Sequence, residues 1–108
     1  MKKRGDTLEK NKTEYLFKTD SEAELAAYFK LLSDPTRLKM IILLSEKELC
    51  VSDICALMNM EQSAVSHQLR VLKSARVADC KRVGKSVCYR LCDQNIKNII
   101  AAACKNFN

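Results

Sequence analysis

The chain has 108 residues, of which 47% are hydrophobic and 30% are charged, with a formal net charge of +6, which indicates one globular domain with a basic bias. Its 2 glycines and 1 proline are too few for an all-β fold of many short strands, and Gly84 is the only glycine after Gly5, which excludes a glycine-rich phosphate loop. The single histidine, His67, excludes a multi-histidine zinc site within one chain.

The first twenty residues are polar and mixed in charge, and they predict a mobile N-terminal arm. The folded domain is therefore expected to span residues 21–108. The string Ser21-Glu22-Ala23-Glu24 has the capping-box pattern and predicts that a first helix starts at Ser21.

Three further helices are predicted in the middle of the chain. Asp34 followed by Pro35 predicts the N-cap and first residue of a second helix, which runs to about Ser45. Ser52 is predicted to cap a short third helix, and residues 59–61 form a polar break before a fourth helix over residues 62–75. In that fourth helix the apolar side chains predicted to face inward are Val65, Leu69 and Leu72.

After the fourth helix the pattern changes to short stretches rich in β-formers, residues 77–82 and 86–91. The residues between them, Val83-Gly84-Lys85, predict a three-residue hairpin turn in which Cys80 would face Cys88. Asp93 is predicted to cap a last helix that ends near Lys105. The sequence thus predicts a mainly helical fold in the order α-α-α-α-β-β-α.

The positive charge is concentrated in one third of the chain. Residues 62–91 contain seven basic residues and one acidic residue, Asp79, for a net charge of +6, whereas residues 21–61 contain four basic and seven acidic residues, for −3. This distribution is typical of a protein that binds a polyanion, double-stranded DNA first, although a solvated basic face without a partner would give the same charge.

Neither a membrane span nor a secretory signal is expected. The longest apolar run, residues 99–104, has six residues, far short of the ~20 that a spanning helix needs, and no apolar stretch follows the basic start Met1–Arg4. We therefore expect a cytoplasmic protein, in which the six cysteines are reduced thiols.

Two short helices, a basic fourth helix and a basic hairpin together predict a winged helix-turn-helix, with the hairpin as the wing. Small polar side chains near the start of the fourth helix are suited to base edges: Gln62, Ser63, Ser66 and His67. Basic side chains are predicted to contact phosphates: Arg70, Lys73, Lys81, Arg82 and Lys85. The alternative is an ordinary amphipathic helix with a solvated face. An enzyme is not expected, because the chain has one histidine, no evident carboxylate pair and no roomy cleft for a small-molecule substrate.

Four strings of residues closely resemble the ArsR/SmtB family of metal-responsive repressors: LSDPTRL at 32–38, ELCVSDIC at 48–55, QSAVSHQLRVL at 62–72 and GKSVCYRL at 84–91. The resemblance covers about residues 21–105. It implies a homodimer built largely on the first and last helices. It also implies that the apo protein represses transcription and leaves its operator when an inducer binds.

The resemblance places one inducer site at the start of the third helix, where arsenic-responsive members carry three cysteines. This chain keeps the outer two, Cys50 and Cys55, and has Ser52 between them. Thiolates favour soft ions, so the expected inducer is As(III), Cd(II), Pb(II) or Zn(II). A hydroxyl is a poor ligand for such an ion, and a site here needs a distorted helix start or a third thiol from elsewhere.

The family's zinc site in the last helix is expected to be absent or weak. Asp93 matches its first ligand, but Asn95 and Asn106 stand where the family has histidines. The remaining cysteines are second-choice ligands: Cys80, Cys88, Cys92 and Cys104. Plain packing of these cysteines is an alternative, and so is a thiol-redox or persulfide-responsive repressor without a metal, with Cys80 and Cys88 as one redox pair. A DNA-binding module without a sensor is the third reading.

Overall fold

The structure of the protein, a computed structural model, describes residues 21–107, so the predicted arm at residues 1–20 lies outside the described residues. The chain divides into two compact units, one up to Asp34 and one from Pro35 onward. In the first unit, helix α1 spans Ser21–Ser33, with acidic residues in its first turn and a basic residue in its last turn, as the helix dipole favours. Two of its large apolar side chains, Leu25 and Phe29, are 45% and 50% exposed.

The second unit contains the remaining elements of the described chain. They are α2 Pro35–Glu46, β1 Leu49–Cys50, α3 Val51–Met58, α4 Gln62–Ser74, β2 Ala78–Val83, β3 Ser86–Leu91 and α5 Gln94–Cys104. This order confirms the predicted mainly helical winged helix-turn-helix and adds the two-residue strand β1, which the sequence analysis did not predict. None of the helices between residues 21 and 107 combines the length and the apolar character that crossing a membrane requires.

Helix α3 begins at Val51, so the predicted cap at Ser52 is wrong. The N-cap is Cys50, whose backbone N–H donates to Oδ2 of Asp53 at 3.0 Å. Asp53 is the third residue of the helix, from which a carboxylate can reach back to the N-cap N–H and favour an earlier start. The helix ends at Met58, and its C-cap is Asn59, whose φ of 53° lies in the left-handed region that asparagine tolerates. Residues 59–61 thus form the predicted break.

The end of α4 is fixed by a pair of backbone hydrogen bonds. The N–H of Arg76 donates to Lys73 O at 2.9 Å, and the N–H of Val77 donates to Leu72 O at 3.0 Å. This is the Schellman pattern, with Arg76 at φ 62° in the place where glycine is usual. The chain leaves the helix sharply, so β2 starts four residues after α4 ends.

The sheet has the strand order β1-β3-β2, and both pairings are antiparallel. Val83 pairs with Ser86, so the hairpin turn has two residues, Gly84 and Lys85, and the predicted three-residue turn is wrong. Gly84 has φ +64°, which glycine adopts without strain in a tight hairpin turn. A shift of one residue moves every side chain to the other face, and Cys80 therefore pairs with Tyr89 and not with Cys88.

The core of the second unit is formed by one face of each helix together with the inner face of the sheet. The apolar side chains with no exposed surface include Met40, Ile41, Ile54, Val65, Leu69, Leu72 and Ile96. Burying each such side chain contributes about 1.5–3 kcal/mol relative to leaving it exposed. The three inward positions predicted for α4 are confirmed, and they fix which face of that helix is left to solvent.

Helix α5 begins where the sequence predicts. Oδ1 of Asp93 accepts hydrogen bonds from the N–H groups of Asn95 at 2.9 Å and Ile96 at 3.2 Å. A capping carboxylate of this kind typically contributes about 1 kcal/mol to helix stability. Asp93, which matches a zinc ligand of the family, thus has a structural task in this chain.

Candidate DNA-binding surface and cysteine pair

The outer face of α4 carries the polar residues that the sequence analysis selected. Val65, Leu69 and Leu72 hold the opposite face in the core, since none of them has exposed surface. The polar residues that are therefore exposed are Gln62, Ser63, His67, Arg70 and Lys73, whereas Ser66 is half-buried. The helix begins at Gln62, which places the short side chains in its first two turns.

Three of these residues meet the wing across an open cleft of about 380 Å³. Gln62, Ser66 and Arg70 lie one helical turn apart along α4 and form one wall of the cleft. Lys85, at the tip of the hairpin, lies on the opposite side. The other lining residues come from the start of α3 and from β3: Val51, Ser52, Ser86, Val87 and Tyr89. The structure thus brings two predicted base-reading residues and two predicted phosphate contacts to one surface.

The remaining predicted DNA contacts lie around this cleft or away from it. Ser63 and His67 are exposed on α4 but do not line the cleft, and Arg82 is exposed near the hairpin turn. Lys81 lies on the other face of the sheet, where its Nζ is 3.5 Å from Oε2 of Glu48. Exposed ion pairs of this kind contribute about 0–1 kcal/mol, so a phosphate can compete for Lys81. Its assignment to DNA stays a prediction.

Beside the cleft, Lys73, Cys80 and Tyr89 form a polar cluster that the sequence analysis missed. A hydrogen bond to the Cys80 side chain, followed by an electrostatic interaction with that side chain, raises the pKa of Lys73. Burial, followed by the same cysteine, raises the pKa of the Tyr89 phenol, although the nearby cations Lys73 and Arg70 lower it in part. At neutral pH the cluster therefore keeps Lys73 positive and Tyr89 neutral. The cross-strand pairing of Cys80 with Tyr89 was the missing signal, and it depends on the hairpin register.

A second feature missed from the sequence is the hydrogen bond that joins α2 to α4. Arg37 Nη1 donates to Oε1 of Gln68 at 3.4 Å. The two residues belong to different strings of the family resemblance, 31 positions apart. The bond links the middle of α4 to α2 from the side away from the cleft, so Arg37 helps to position the helix without lining the cleft.

The structure joins Cys50 to Cys88 in a disulfide, with Cα atoms 3.7 Å apart. The two residues are directly paired between β1 and β3. The other cysteines, Cys55, Cys80, Cys92 and Cys104, are free, and only Cys92 is exposed. The predicted ligands Cys50 and Cys55 are thus not the pair that the structure joins.

Within residues 21–107, no group of three or more His, Cys, Asp or Glu side chains is arranged to hold a metal ion. Among the cysteines of this part of the chain, the structure bonds Cys50 to Cys88 and places Cys80 in the same cavity as Cys88. The metal site at Cys50 and Cys55 stays a prediction.

Residues 34–79 match the family model described as "Bacterial regulatory protein, arsR family". The chain is 44% identical over 80 residues to the "Transcriptional repressor SmtB homolog" of Synechocystis, an alignment that covers 74% of this chain and 61% of that protein. It is 40% identical over 81 residues to the "Cadmium resistance transcriptional regulatory protein CadC homolog" of Staphylococcus aureus, covering 74% of this chain and 67% of that protein.

The chain belongs to the ArsR family of bacterial regulatory proteins. Its fold matches the homodimeric winged helix-turn-helix DNA-binding domain of a Mycobacterium bovis protein, with a TM-score of 0.69 and 26% identity over 79% of this chain and 82% of that one. The relatives are transcriptional regulators by name, which agrees with the prediction that this ArsR-family chain is not an enzyme. The matched part spans about three-fifths of the length of the Synechocystis relative.

Proposed function

We propose that this ArsR-family protein is a transcriptional repressor that binds double-stranded operator DNA and releases it when a soft metal or metalloid ion binds to cysteine thiolates. The observation that carries the DNA part is the convergence of Gln62, Ser66, Arg70 and Lys85 on one open cleft. Residues that read bases and residues that neutralise phosphates must act together on one duplex, and this cleft brings both kinds to the same surface.

In this proposal α4 is the recognition helix and its first turns enter the major groove. Gln62 can bond bidentately to adenine, while Ser63, Ser66 and His67 donate to or accept from other base edges. Arg70, Lys73, Arg82 and Lys85 contact phosphates, as does Lys81 once it leaves Glu48. These contacts supply affinity that falls with salt but carry little sequence information.

The proposed active species is a cytoplasmic homodimer. The Mycobacterium bovis relative is described as homodimeric, and two copies of one recognition helix fit an operator with two-fold symmetry. The exposed Leu25 and Phe29 on α1 supply apolar surface for such an interface. Half-sites about one helical turn apart, ~34 Å, would then set the spacing that the two recognition helices must match.

The proposed inducers are As(III), Cd(II), Pb(II) and Zn(II), which thiolates prefer to Mg(II) or Ca(II). Two of the relatives are named for cadmium resistance and for arsenical resistance. The ligands proposed from the sequence are Cys50 and Cys55. In the reduced chain a second thiolate, that of Cys88, lies next to Cys50. For the ion to release DNA, its binding must favour a dimer geometry that no longer fits the half-sites. A coupling of about 1–3 kcal/mol would weaken DNA binding roughly 5- to 150-fold.

The experiment that tests this function is fluorescence anisotropy of the reduced protein on the DNA upstream of its own gene. Arsenite, Cd(II), Pb(II) and Zn(II) are titrated in parallel, with Mg(II) as the hard-ion control. Release by one soft ion at near-stoichiometric amounts, and not by Mg(II), supports the proposal. If saturating amounts of all four leave the operator affinity unchanged, the metal part is wrong, and if upstream DNA binds no better than random DNA, the repressor part is wrong.

The ligands are then located by single cysteine substitutions. Cys50→Ser and Cys55→Ser should each raise the ion concentration needed for release, whereas Ser52→Ala should not. A response that survives both cysteine changes would place the site at other residues, among which Cys80, Cys88, Cys92 and Cys104 are the second choices.

A further inference from the structure

We propose that the Cys50–Cys88 bond is a reversible redox crosslink that fixes the wing against helix α3 and raises the DNA affinity of the cleft. The proposal rests on the DNA-binding function proposed above, and it assigns a task to two cysteines that does not require a metal. The crosslink joins covalently two residues that are 38 positions apart in the sequence.

The two cysteines lie where the wing meets the start of helix α3. Cys50 is at once the last residue of β1 and the N-cap of α3, while Cys88 lies in the middle of β3. Strand β1 has only two residues, and two residue pairs, Leu49 with Tyr89 and Cys50 with Cys88, connect it to β3. A strand this short gains little from its own backbone pairing. A covalent bond at one of its two pairs therefore has a large effect on whether the wing stays on α3.

The neighbours of both cysteines line the DNA-facing cleft. Val51 and Ser52 follow Cys50 directly, and Val87 and Tyr89 flank Cys88, and all four are lining residues. The opposite wall belongs to α4, with Gln62, Ser66 and Arg70. The distance between the start of α3 and the wing is therefore a dimension of the cleft itself, and the redox state of Cys50 and Cys88 sets it.

Small oxidants and reductants have a path to the bond. Cys50 is half-buried, and Cys88, although only 4% exposed, lines a second cavity of about 190 Å³. The other residues that line this cavity are Glu48, Asp79, Cys80, Lys81 and Arg90, so it is polar and roughly neutral in charge. A disulfide in a reducing compartment is usually transient and redox-sensing, which is the use that this access permits.

The reaction needs a hydroperoxide as oxidant and a thiol as reductant. The more accessible Cys50 thiolate attacks the peroxide, which leaves a sulfenic acid on Cys50 and releases the alcohol or water. The Cys88 thiol then displaces water from that sulfenic acid, and the S–S bond forms. In the reverse direction two equivalents of a small thiol reduce the bond, giving Cys50 and Cys88 thiols and one small disulfide.

The oxidised protein is expected to bind DNA more tightly. The crosslink holds Lys85 and the recognition helix in the arrangement seen here, so less freedom is lost when DNA binds. Reduction leaves the short β1 pairing and the packing of α3 against β3 to hold the wing, neither of which is covalent. The expected difference is roughly fivefold or more in dissociation constant, the lower end of typical couplings between sites.

The test compares the full-length protein after reduction and after treatment with hydrogen peroxide in metal-free buffer. Mass spectrometry of unreduced peptides identifies the bonded pair, and fluorescence anisotropy on upstream DNA gives the dissociation constant in each state. A Cys50–Cys88 peptide with at least fivefold tighter binding, reversed by a thiol, supports the proposal. The difference should vanish in C50S and persist in C55S/C80S/C92S/C104S, which keeps only the crosslinked pair.

Several results would overturn all or part of this proposal. A crosslink on a different pair, or a Cys50–Cys88 crosslink that tightens binding less than fivefold, overturns the proposal while leaving DNA binding intact. Hydrogen exchange measured on β1 and β3 in the two states reports the wing without DNA, and equal exchange rates also overturn it. Absence of DNA binding in both states would instead overturn the repressor function and, with it, the DNA-linked part of this inference.

Discussion

Within α4, the polar side chains differ in where they lie relative to the wing. Gln62 and Ser66 line the cleft, whereas Ser63 and His67 are exposed beside it. The hydroxyl of Ser66 is short and half-buried, so it can contact a base only where the neighbouring residues let the duplex come close to α4. We therefore expect Ser66 to contribute more to sequence discrimination than a serine elsewhere on the same helix.

Substitution Ser66→Ala should weaken binding to the specific operator by about 1–3 kcal/mol and leave binding to random DNA unchanged, because it removes a base contact and no charge. Fluorescence anisotropy on both duplexes at one salt concentration measures this. Ser74→Ala, the same change at the exposed last residue of α4, is the matched control and should have no effect. Equal losses on both duplexes would show that Ser66 does not read bases.

Lys85 at the wing tip is expected to act in the opposite way. Lys85→Ala should lower affinity for operator and random DNA alike, and it should reduce the slope of log K against log salt by about 0.9, the value for one lost phosphate contact. The control is Lys39→Ala, which removes the same charge from the exposed surface of α2. An unchanged slope for Lys85→Ala would place this side chain away from the DNA backbone.

At the scale of single residues, the sequence indicated which side chains are polar and outward but not which of them meet. The spacing of Val65, Leu69 and Leu72 was sufficient to orient α4. The contact of Cys50 with Cys88 was not predictable in the same way, because it depends on a strand pair between residues 38 positions apart. Likewise, Cys80 meets Tyr89 only because the turn has two residues instead of three.

At the scale of elements, the position of α4 depends on the helices that surround it. Its apolar face packs in the core, and Gln68 on the side of the helix accepts the hydrogen bond from Arg37 of α2. A hydrogen bond from a charged group typically contributes about 1.5–3 kcal/mol, but the 3.4 Å distance places this one at or below the lower end. The bond joins α2 to α4, the helix that we propose enters the major groove.

A double-mutant cycle on Arg37→Met and Gln68→Met should give a coupling of about 0.5–1.5 kcal/mol in the free energy of unfolding. The cycle is needed because Arg37 has further interactions, which cancel when the single and double variants are compared. Urea denaturation of the four proteins measures it, under conditions where unfolding and dissociation are treated together. A coupling indistinguishable from zero would mean that packing alone positions α4.

The elements were predictable to different degrees for a physical reason. Helices α2, α4 and α5 were predictable from local sequence signals, which are Asp34-Pro35, the spacing of apolar residues and the cap Asp93. The strand β1 has no such signal, because two residues form a strand only when β3 is present beside them. The predicted start of α3 was wrong because the prediction took the hydroxyl of Ser52 as the cap. In the structure the carboxylate of Asp53 accepts a hydrogen bond from the backbone, and this bond defines the first turn of the helix.

At the scale of the whole molecule, the charge and the apolar surface lie in different parts of the sequence. The net charge of +6 in residues 62–91 falls on α4 and the wing, while α1 carries the exposed apolar side chains Leu25 and Phe29. Isolated exposed apolar residues are common, but two on one helix at i and i+4 lie on the same face. This division suits a protein that binds DNA with one part and a second copy of itself with another.

The double substitution Leu25→Glu/Phe29→Glu should therefore separate association from folding. If α1 is part of the dimer interface, burying two carboxylates there costs about 2 kcal/mol or more, which raises the dimer dissociation constant at least ~30-fold. Sedimentation velocity over a range of concentrations measures this shift, and circular dichroism checks that the helices are retained. Leu57→Glu is the control, because Leu57 is 56% exposed on α3 and does not line the cleft proposed to bind DNA. A monomer should also lose most of its operator affinity, because it presents one recognition helix instead of two. If the double variant stays dimeric while its affinity for DNA is unchanged, α1 does not contribute to the interface, and the dimer must be held by other elements.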